Sequence, residues 1–289
     1  SEEATVTTTA LREEELQLTS SDGTALFARR VLPAGESRAH LAWVHGVAEH
    51  SGRYLETMRW FAERGFGCTA VDLRGHGRSE GKRVFLRRWA EYTSDVLAFL
   101  EGVEAPAGPS FLIGHSMGGL VVGRALQTQP QRLSGLKGAV ITSPYFGLKV
   151  VVPGWKVCAG RFLSKVLPTA ALPSDLDANL LSKDPEQVRA YEEDPLVTHA
   201  VTARWYTESV SEFELALADA GRLTLPLLFM HGEDDGITDP AATRAVFERC
   251  ASPDKELEMW PGGRHELLNE VEREQVRERI LAWLEARLA

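Results

Sequence analysis

Short, mostly apolar and β-rich runs alternate along the chain with longer stretches whose apolar residues recur every three or four positions. "HLAWVHG" (40–46) precedes "YLETMRWFAERG", and "FGCTAVD" (66–72) precedes, after a glycine-rich loop, "RRWAEYTSDVLAFLEGV". "FLIGHS" (111–116) runs into "MGGLVVGRALQTQP", and "LKGAVITS" (136–143) follows. "PLLFMHG" (226–232) and "KELEMW" (255–260) then lead to "PAATRAVFERC" and "ELLNEVEREQVRERILAWLEARL". Apolar strands separated by helical periods predict parallel strands covered on both faces by helices. The predicted class is α/β, a doubly wound and mostly parallel sheet. The segment "EELQLTSSDGTALFARRV" (14–31) reads instead as two strands around a Ser-Asp-Gly turn. It predicts a hairpin that adds antiparallel strands at one edge.

The alternation stops between about 144 and 215. Helix-like pieces there are broken by prolines, and no strand is predicted. Because strand-helix units stand on both sides, the segment is an insertion. The expected organisation is a first core part (1–143), an inserted helical cap (144–215) and a second core part (216–289). An insertion that follows a strand's C-terminal end lies over the edge where open α/β sheets bind ligands. No internal repeat and no low-complexity tract interrupts this plan.

One junction carries chemistry. Gly114-His115-Ser116-Met117-Gly118 sits between a strand and a helix and matches the nucleophile-elbow pattern G-x-S-x-G. A sharp strand-to-helix turn leaves no room for side chains two positions either side of the serine, hence glycine there. The serine then faces the free N–H groups at a helix N-terminus, which favour developing negative charge. A glycine-rich turn with an incidental serine would look the same in isolation, so the partners have to decide. A serine hydroxyl needs a base, and the base needs a carboxylate to orient it. In this strand-turn-helix arrangement the order is Ser, acid, His.

Downstream of Ser116 stand His199, His231 and His265. His199 falls in the insertion, and His231 closes a strand and is expected to pack there. His265 lies in "PGGRHELLNE", a loop after the last strand, where the general base belongs. The loop "HGEDDGITDP" offers Glu233, Asp234, Asp235 and Asp239. Asp239 before Pro240 reads as a helix N-cap. Asp235, followed by Gly236, is the expected acid, with Asp234 second. The oxyanion requires two N–H donors. Met117 supplies one, and the loop after "HLAWV" supplies the other, assigned to Val47. His45, His50, His76 and His115 are expected to pack and hydrogen-bond in loops.

The overall balance narrows the partners. Net charge is -9 over 289 residues, which argues against nucleic acid as a partner, since phosphate binding needs a basic surface. Cys68, Cys158 and Cys250 form no close pair, so they predict packing residues in a reducing compartment. The start "SEEATVTTTALREEE" is polar and acidic, unlike a signal peptide. No apolar run is long enough to span a membrane. The expected location is cytoplasmic, with scope for peripheral membrane association. Oligomeric state leaves no mark in the sequence.

Six blocks in order carry a family resemblance: "HGVAEHSGRY", "VDLRGHGRSEG", "GHSMGG", "DPL" at 194–196, "HGEDDGITDP" and "HELLNE". Over about residues 15–287 the chain resembles the monoacylglycerol lipase and lysophospholipase group of serine α/β-hydrolases, which is serine aminopeptidase S33-like. The resemblance implies an α/β-hydrolase core under a helical cap. It implies a triad at Ser116, Asp235 and His265, and an oxyanion hole at Val47 and Met117. It implies that Glu49 and Arg53 lie near the head-group end of the pocket. Leu268 stands where mammalian monoacylglycerol lipases have a third residue of that end, a histidine, and this departure puts strict monoglyceride preference in question.

The expected activity is hydrolysis of a single-chain acyl lipid, or a small ester, through an acyl-enzyme. No metal or organic cofactor is implied. Alternatives with the same triad are an acyltransferase, or a general carboxylesterase or thioesterase. A non-catalytic hydrolase-fold binding protein is the alternative of another class. Dehalogenase and epoxide hydrolase chemistry needs Asp at the elbow. The stretch 147–168 is apolar with Lys149, Lys156, Arg161 and Lys165. Two readings stand for it: a cap face that makes transient contact with a membrane surface, or packing onto the core with solvated lysines. Cys158 within it is expected to be buried.

Overall fold

The computed structural model describes residues 10–106, 108–149, 152–174 and 176–288. Most of the polar N-terminal stretch, and Val150 and Val151 of the apolar stretch, lie outside the described residues. The elements are β1 (Arg12–Thr19), β2 (Ala25–Leu32), β3 (Ala39–Val44), α1 (Leu55–Ala62), β4 (Phe66–Val71), α2 (Ala90–Gly102), β5 (Ser110–His115), α3 (Met117–Thr128) and β6 (Leu136–Thr142). Then come α4 (Gly154–Val166), β7 (Ala171–Pro173), α5 (Pro185–Glu193), β8 (Ala200–Thr202) and α6 (Ala203–Ala218). The chain ends with β9 (Leu227–Gly232), α7 (Pro240–Arg249), β10 (Lys255–Trp260) and α8 (Arg273–Glu285).

Strands form an eight-stranded sheet in the order β1-β2-β4-β3-β5-β6-β9-β10. Strand β2 pairs antiparallel with both β1 and β4, and every other pairing is parallel. This is the mostly parallel α/β sheet that the apolar runs predict, with the hairpin at its edge. Period-2 alternation divides the strands between two cores. Leu41 and Trp43 of β3 pack with Phe61 of α1 and Trp283 of α8 on one face. Ala42 and Val44 pack with Leu120 of α3 and Phe99 of α2 on the other.

Two details differ from the sequence reading. The insertion contains a two-stranded antiparallel sheet of β7 and β8 where no strand is predicted. Each strand is too short to leave a periodic signature. The last helix begins at Arg273 rather than near Glu266, after a short 3-10 turn at Leu267–Asn269. Glu270 interrupts the earlier start: its backbone is extended, φ -74° and ψ 168°, and its buried carboxylate accepts the N–H groups of Lys183 and Arg264. Position 215 lies within α6, which continues to Ala218 and is tied to α3 by Arg124. The Arg124 guanidinium donates to Glu212 at 2.6 Å and to Asp219 at 2.9 Å.

Candidate active site

Every strand that feeds the site ends at the same sheet edge, so the loops after β3, β5, β9 and β10 converge there. The loop after β5 is the tightest. Ser116 adopts φ 52° and ψ -119°, a left-handed backbone that a non-glycine residue takes up only under constraint. The flanking glycines supply that constraint. A Cβ on Gly114 would meet the Gly118 carbonyl oxygen at 2.5 Å, and one on Gly118 would meet the His45 carbonyl oxygen at 2.5 Å. Thus α3 starts hard against the end of β3. As first residue of α3, Met117 has an N–H with no carbonyl one turn back to bond.

The loops after β9 and β10 cross at Gly232, where a Cβ would meet the Arg264 carbonyl oxygen at 2.5 Å. This crossing brings His265 between Asp235 and Ser116. His265 Nδ1 lies 2.8 Å from Asp235 Oδ2, and Nε2 lies 2.9 Å from Ser116 Oγ. The network assigns the tautomer: Nδ1–H donates to the carboxylate, and Nε2 accepts from the serine hydroxyl. Ser116, Asp235 and His265 are all buried. Asp234 is exposed, and its backbone N–H serves the loop crossing by donating to the Gly263 carbonyl at 3.0 Å. Asp239 caps α7 by accepting from Ala241 N–H at 2.9 Å.

Asp235 is held from several sides. Its Oδ1 accepts the N–H groups of Ile237 and Thr238, at 2.8 and 3.0 Å. Its Oδ2 accepts from the Thr238 hydroxyl at 2.8 Å and from His231 Nε2 at 3.0 Å. Burial opposes its ionisation, but His265 and His231 outweigh that and hold the carboxyl well below the ordinary carboxylate range. For His265 burial likewise disfavours charge, and the Asp235 carboxylate overcomes it, so the pKa is raised. His231 is therefore a carboxylate-orienting residue as well as a packed strand end. Its signal in the sequence is a position four residues before Asp235, at the end of the strand. His115, buried against Thr142 Oγ1 and 4.9 Å ring to ring from His265, is pushed down to about 4 by burial and by His265.

Beside the serine lies a buried ionic cluster. Glu49 Oε1 accepts the Gly46 N–H and the Tyr54 hydroxyl, both at 2.6 Å, and Oε2 accepts from Arg53 at 2.6 Å. Arg53 also grips Glu266 with two nitrogens, at 2.5 and 2.8 Å, and lies 4.9 Å from the Tyr191 ring centre. Burial opposes charge on both glutamates, yet Arg53 lowers both pKa values. Glu266 escapes sequence reasoning although it adjoins His265, because its partner is 213 positions away.

A cavity of about 670 Å³ opens onto Ser116 and His265. Val47, Glu49 and Glu266 line its floor, and Trp155, Leu163 and Tyr206 of the insertion line its roof. Arg53 stands behind the two glutamates rather than on the wall. Leu268, expected at the head-group end, is packed instead in the core with Trp43 and Val276. The 3-10 turn that follows Glu266 aims it at the sheet.

The roof is unusual in its outer side. Trp155, Phe162 and Val166 of α4 are 70%, 65% and 58% exposed, while Gly160 and Ser164 are buried. Cys158 is exposed, contrary to expectation, because it lies on this same outward side. Among the described residues no helix is long and apolar enough to cross a membrane. No cluster of three or more His, Cys, Asp or Glu among them could hold a metal ion.

A parallel sheet with an elbow serine at its C-terminal edge, roofed by an insertion, defines an α/β-hydrolase. Residues 35–272 match the serine aminopeptidase S33 family. A monoacylglycerol lipase of Mycolicibacterium smegmatis is 34% identical over 259 residues, covering 89% of this chain and 91% of that one. A phospholipase of Bacillus subtilis strain 168 is 32% identical, covering 81% of this chain and 90% of that one. The crystal structure of a Paleococcus ferrophilus monoacylglycerol lipase superposes with TM-score 0.79 at 30% identity, covering 96% and 99%. The chain belongs to the serine aminopeptidase S33 family of α/β-hydrolases and is a carboxylic ester hydrolase.

Proposed function

We propose that this protein hydrolyses single-chain acyl lipids, monoacylglycerols first, with Ser116, His265 and Asp235 as its triad. The observation that carries the reading is the relay Ser116–His265–Asp235 on the floor of a largely apolar cavity. Ser116 Oγ adds to the ester carbonyl as His265 Nε2 takes its proton. Charge moves to the carbonyl oxygen, which the N–H groups of Met117 and Val47 stabilise. The imidazolium, paired with Asp235, protonates the leaving alcohol. Water repeats the sequence on the acyl-enzyme and releases the fatty acid.

In this reading residues 144–215 form the cap, and its apolar lining takes the acyl chain. Glu49 and Glu266 receive the polar head, with Arg53 fixing their geometry from behind. The outward Trp155, Phe162 and Val166, with Lys156, Arg161 and Lys165 on the same helix, rest on a lipid surface. Location is then cytoplasmic with peripheral membrane contact.

The test is a panel of monoacylglycerols of several chain lengths, lysophospholipids, diacyl lipids and short p-nitrophenyl esters, run with Ser116→Ala. Monoacylglycerol turnover should lead, and the variant should lose a factor on the order of 10⁵ or more. Turnover of short esters alone favours a general carboxylesterase. Acyl transfer to added glycerol favours a transferase. No labelling of Ser116 by a fluorophosphonate favours a binding protein.

A further inference from the structure

The motif "DPL" at 194–196 has no part in the chemistry above, yet the structure ties it to the loop that carries Val47. Asp194 ends α5 and builds the turn that follows: Oδ1 accepts the Leu196 N–H at 2.8 Å, and its carbonyl accepts the Val197 N–H at 3.1 Å. Its other oxygen, Oδ2, lies 2.7 Å from His50 Nε2. Because His50 Nδ1 accepts the Gly52 N–H at 3.1 Å, the ring proton is on Nε2, and His50 donates to Asp194. The turn also delivers Thr198, whose N–H donates to the Ala48 carbonyl at 2.8 Å.

Ala48 is the residue that needs holding. Its φ is 62°, a left-handed value uncommon for a residue with a Cβ. It directly follows Val47. The inner side of this loop is held through Glu49, which binds the Gly46 N–H and the Tyr54 hydroxyl. On the outer side the inserted segment adds two contacts, Thr198 on Ala48 and Asp194 on His50. The peptide that presents Val47 N–H has its own carbonyl, Gly46 O, held by His45 Nδ1 at 2.6 Å, and the residues on either side of it are held by a glutamate of the core and by a turn of the roof. Gly46 lies against the nucleophile, since a Cβ there would meet Ser116 Cβ at 3.2 Å. A small rotation of the loop would therefore change where the donor points.

We propose that Asp194 is a positioning residue for the oxyanion donor, acting through His50 and through the Thr198–Ala48 contact to hold the Val47 N–H on target. This rests on the reading of Val47 as the second donor. Catalytic competence then depends on the roof being seated, because the turn that clamps the loop belongs to the insertion.

The experiment compares wild type, Asp194→Ala and Val47→Pro in kcat and KM on a soluble monoacylglycerol. It adds inhibition by an alkyl trifluoromethyl ketone, whose hemiketal oxygen mimics the oxyanion after Ser116 adds to its carbonyl. Competition by a monoalkylglycerol ether, which binds without forming an oxyanion, reports the pocket alone. Asp194→Ala should lower kcat roughly ten- to hundred-fold, since small misplacements of catalytic groups cost that much. Trifluoromethyl ketone affinity should fall in step, with KM and ether affinity within about two-fold of wild type. If Asp194→Ala does not fold, Asp194→Asn replaces it. Its amide sets a donor against His50, and kcat and ketone affinity should again fall together. Unchanged kcat and ketone affinity would overturn the inference. So would a change in KM and ether affinity alone, or a lower melting temperature with full activity per folded molecule. Val47→Pro removes the N–H itself and should cost roughly 10²–10³ in kcat. If it retains wild-type kcat, the oxyanion reading fails, separately from the role of Asp194.

Discussion

Floor and roof of the cavity are built on different terms. On the floor, backbone packs on backbone: glycines 114, 118 and 232 sit where a Cβ would strike a carbonyl oxygen. The result is a serine held at a strained φ and an aspartate bonded by Ile237, Thr238, His231 and His265. In the roof, a small cluster of Ala178, Leu181, Val188, Tyr191 and Val197 is the separate core, and α4 turns Trp155 and Phe162 to the outside. A reacting group must be held to a fraction of an ångström, and crossed strand ends do that. A wall that admits a chain of variable length has no such need. On the proposed reading the difference teaches that chemistry and selectivity are separable, joined where the 194–198 turn touches the Val47 loop.

The comparison breaks most sharply at Asp235. Asp235→Asn should lower kcat by roughly 10⁴ on every substrate alike, as expected when a triad base loses its orienting carboxylate. The pH profile gives the sign. The base must be neutral, so kcat/KM is lost as pH falls through the His265 pKa, which Asp235 raises above the ordinary imidazole value of 6.5. In the variant the burial remains and the carboxylate is gone, so this acid limb should move to lower pH. Stopped-assay rates from pH 5 to 9 check both effects.

Gly118→Ala tests the floor's rigidity. Its new methyl meets backbone carbonyls of β3 that cannot swing aside, so unfolding free energy should drop by about 3 kcal/mol or more. Urea denaturation measures it. A loss below about 0.5 kcal/mol would mean that the floor yields.

The roof should respond differently. Phe162→Ser with Val166→Ser, two exposed residues off the cavity wall, should cut turnover of vesicle-borne monoacylglycerol several-fold while leaving soluble short esters within about two-fold. Vesicle flotation together with both assays separates surface binding from chemistry. An equal loss on both substrates would place these side chains in the chemistry and erase the distinction. Smallest of all, Cys158→Ser should change stability by less than about 0.5 kcal/mol and activity not measurably, because the thiol is solvent-exposed. Thermal unfolding and a rate measurement suffice.

Much of the plan was legible along the chain, and for local reasons. The strands read as apolar runs because parallel strands are buried on both faces. Ser116, Asp235 and His265 stand out because each sits just past a strand end, in a loop whose glycines mark a sharp turn. Asp239 with Pro240 marks a helix start by adjacent residues alone. The same local reading missed β7 and β8 and began the last helix too early, since short strands and buried Glu270 act through distant partners.

What the sequence by itself determined is therefore the sheet, the order of its helices and the residue types the chemistry calls for. Those features are periodic or contiguous, and each is decided by neighbours within a turn or a strand. Only the tertiary structure decided that His231 supports Asp235 and that Leu268 turns into the core. It also decided that Glu266 shares Arg53 with Glu49, and that Asp194 reaches His50 across 144 positions. Such pairings depend on where loops from separate strands cross. A crossing is set by packing of the whole sheet and roof, and leaves no pattern in any single stretch of chain.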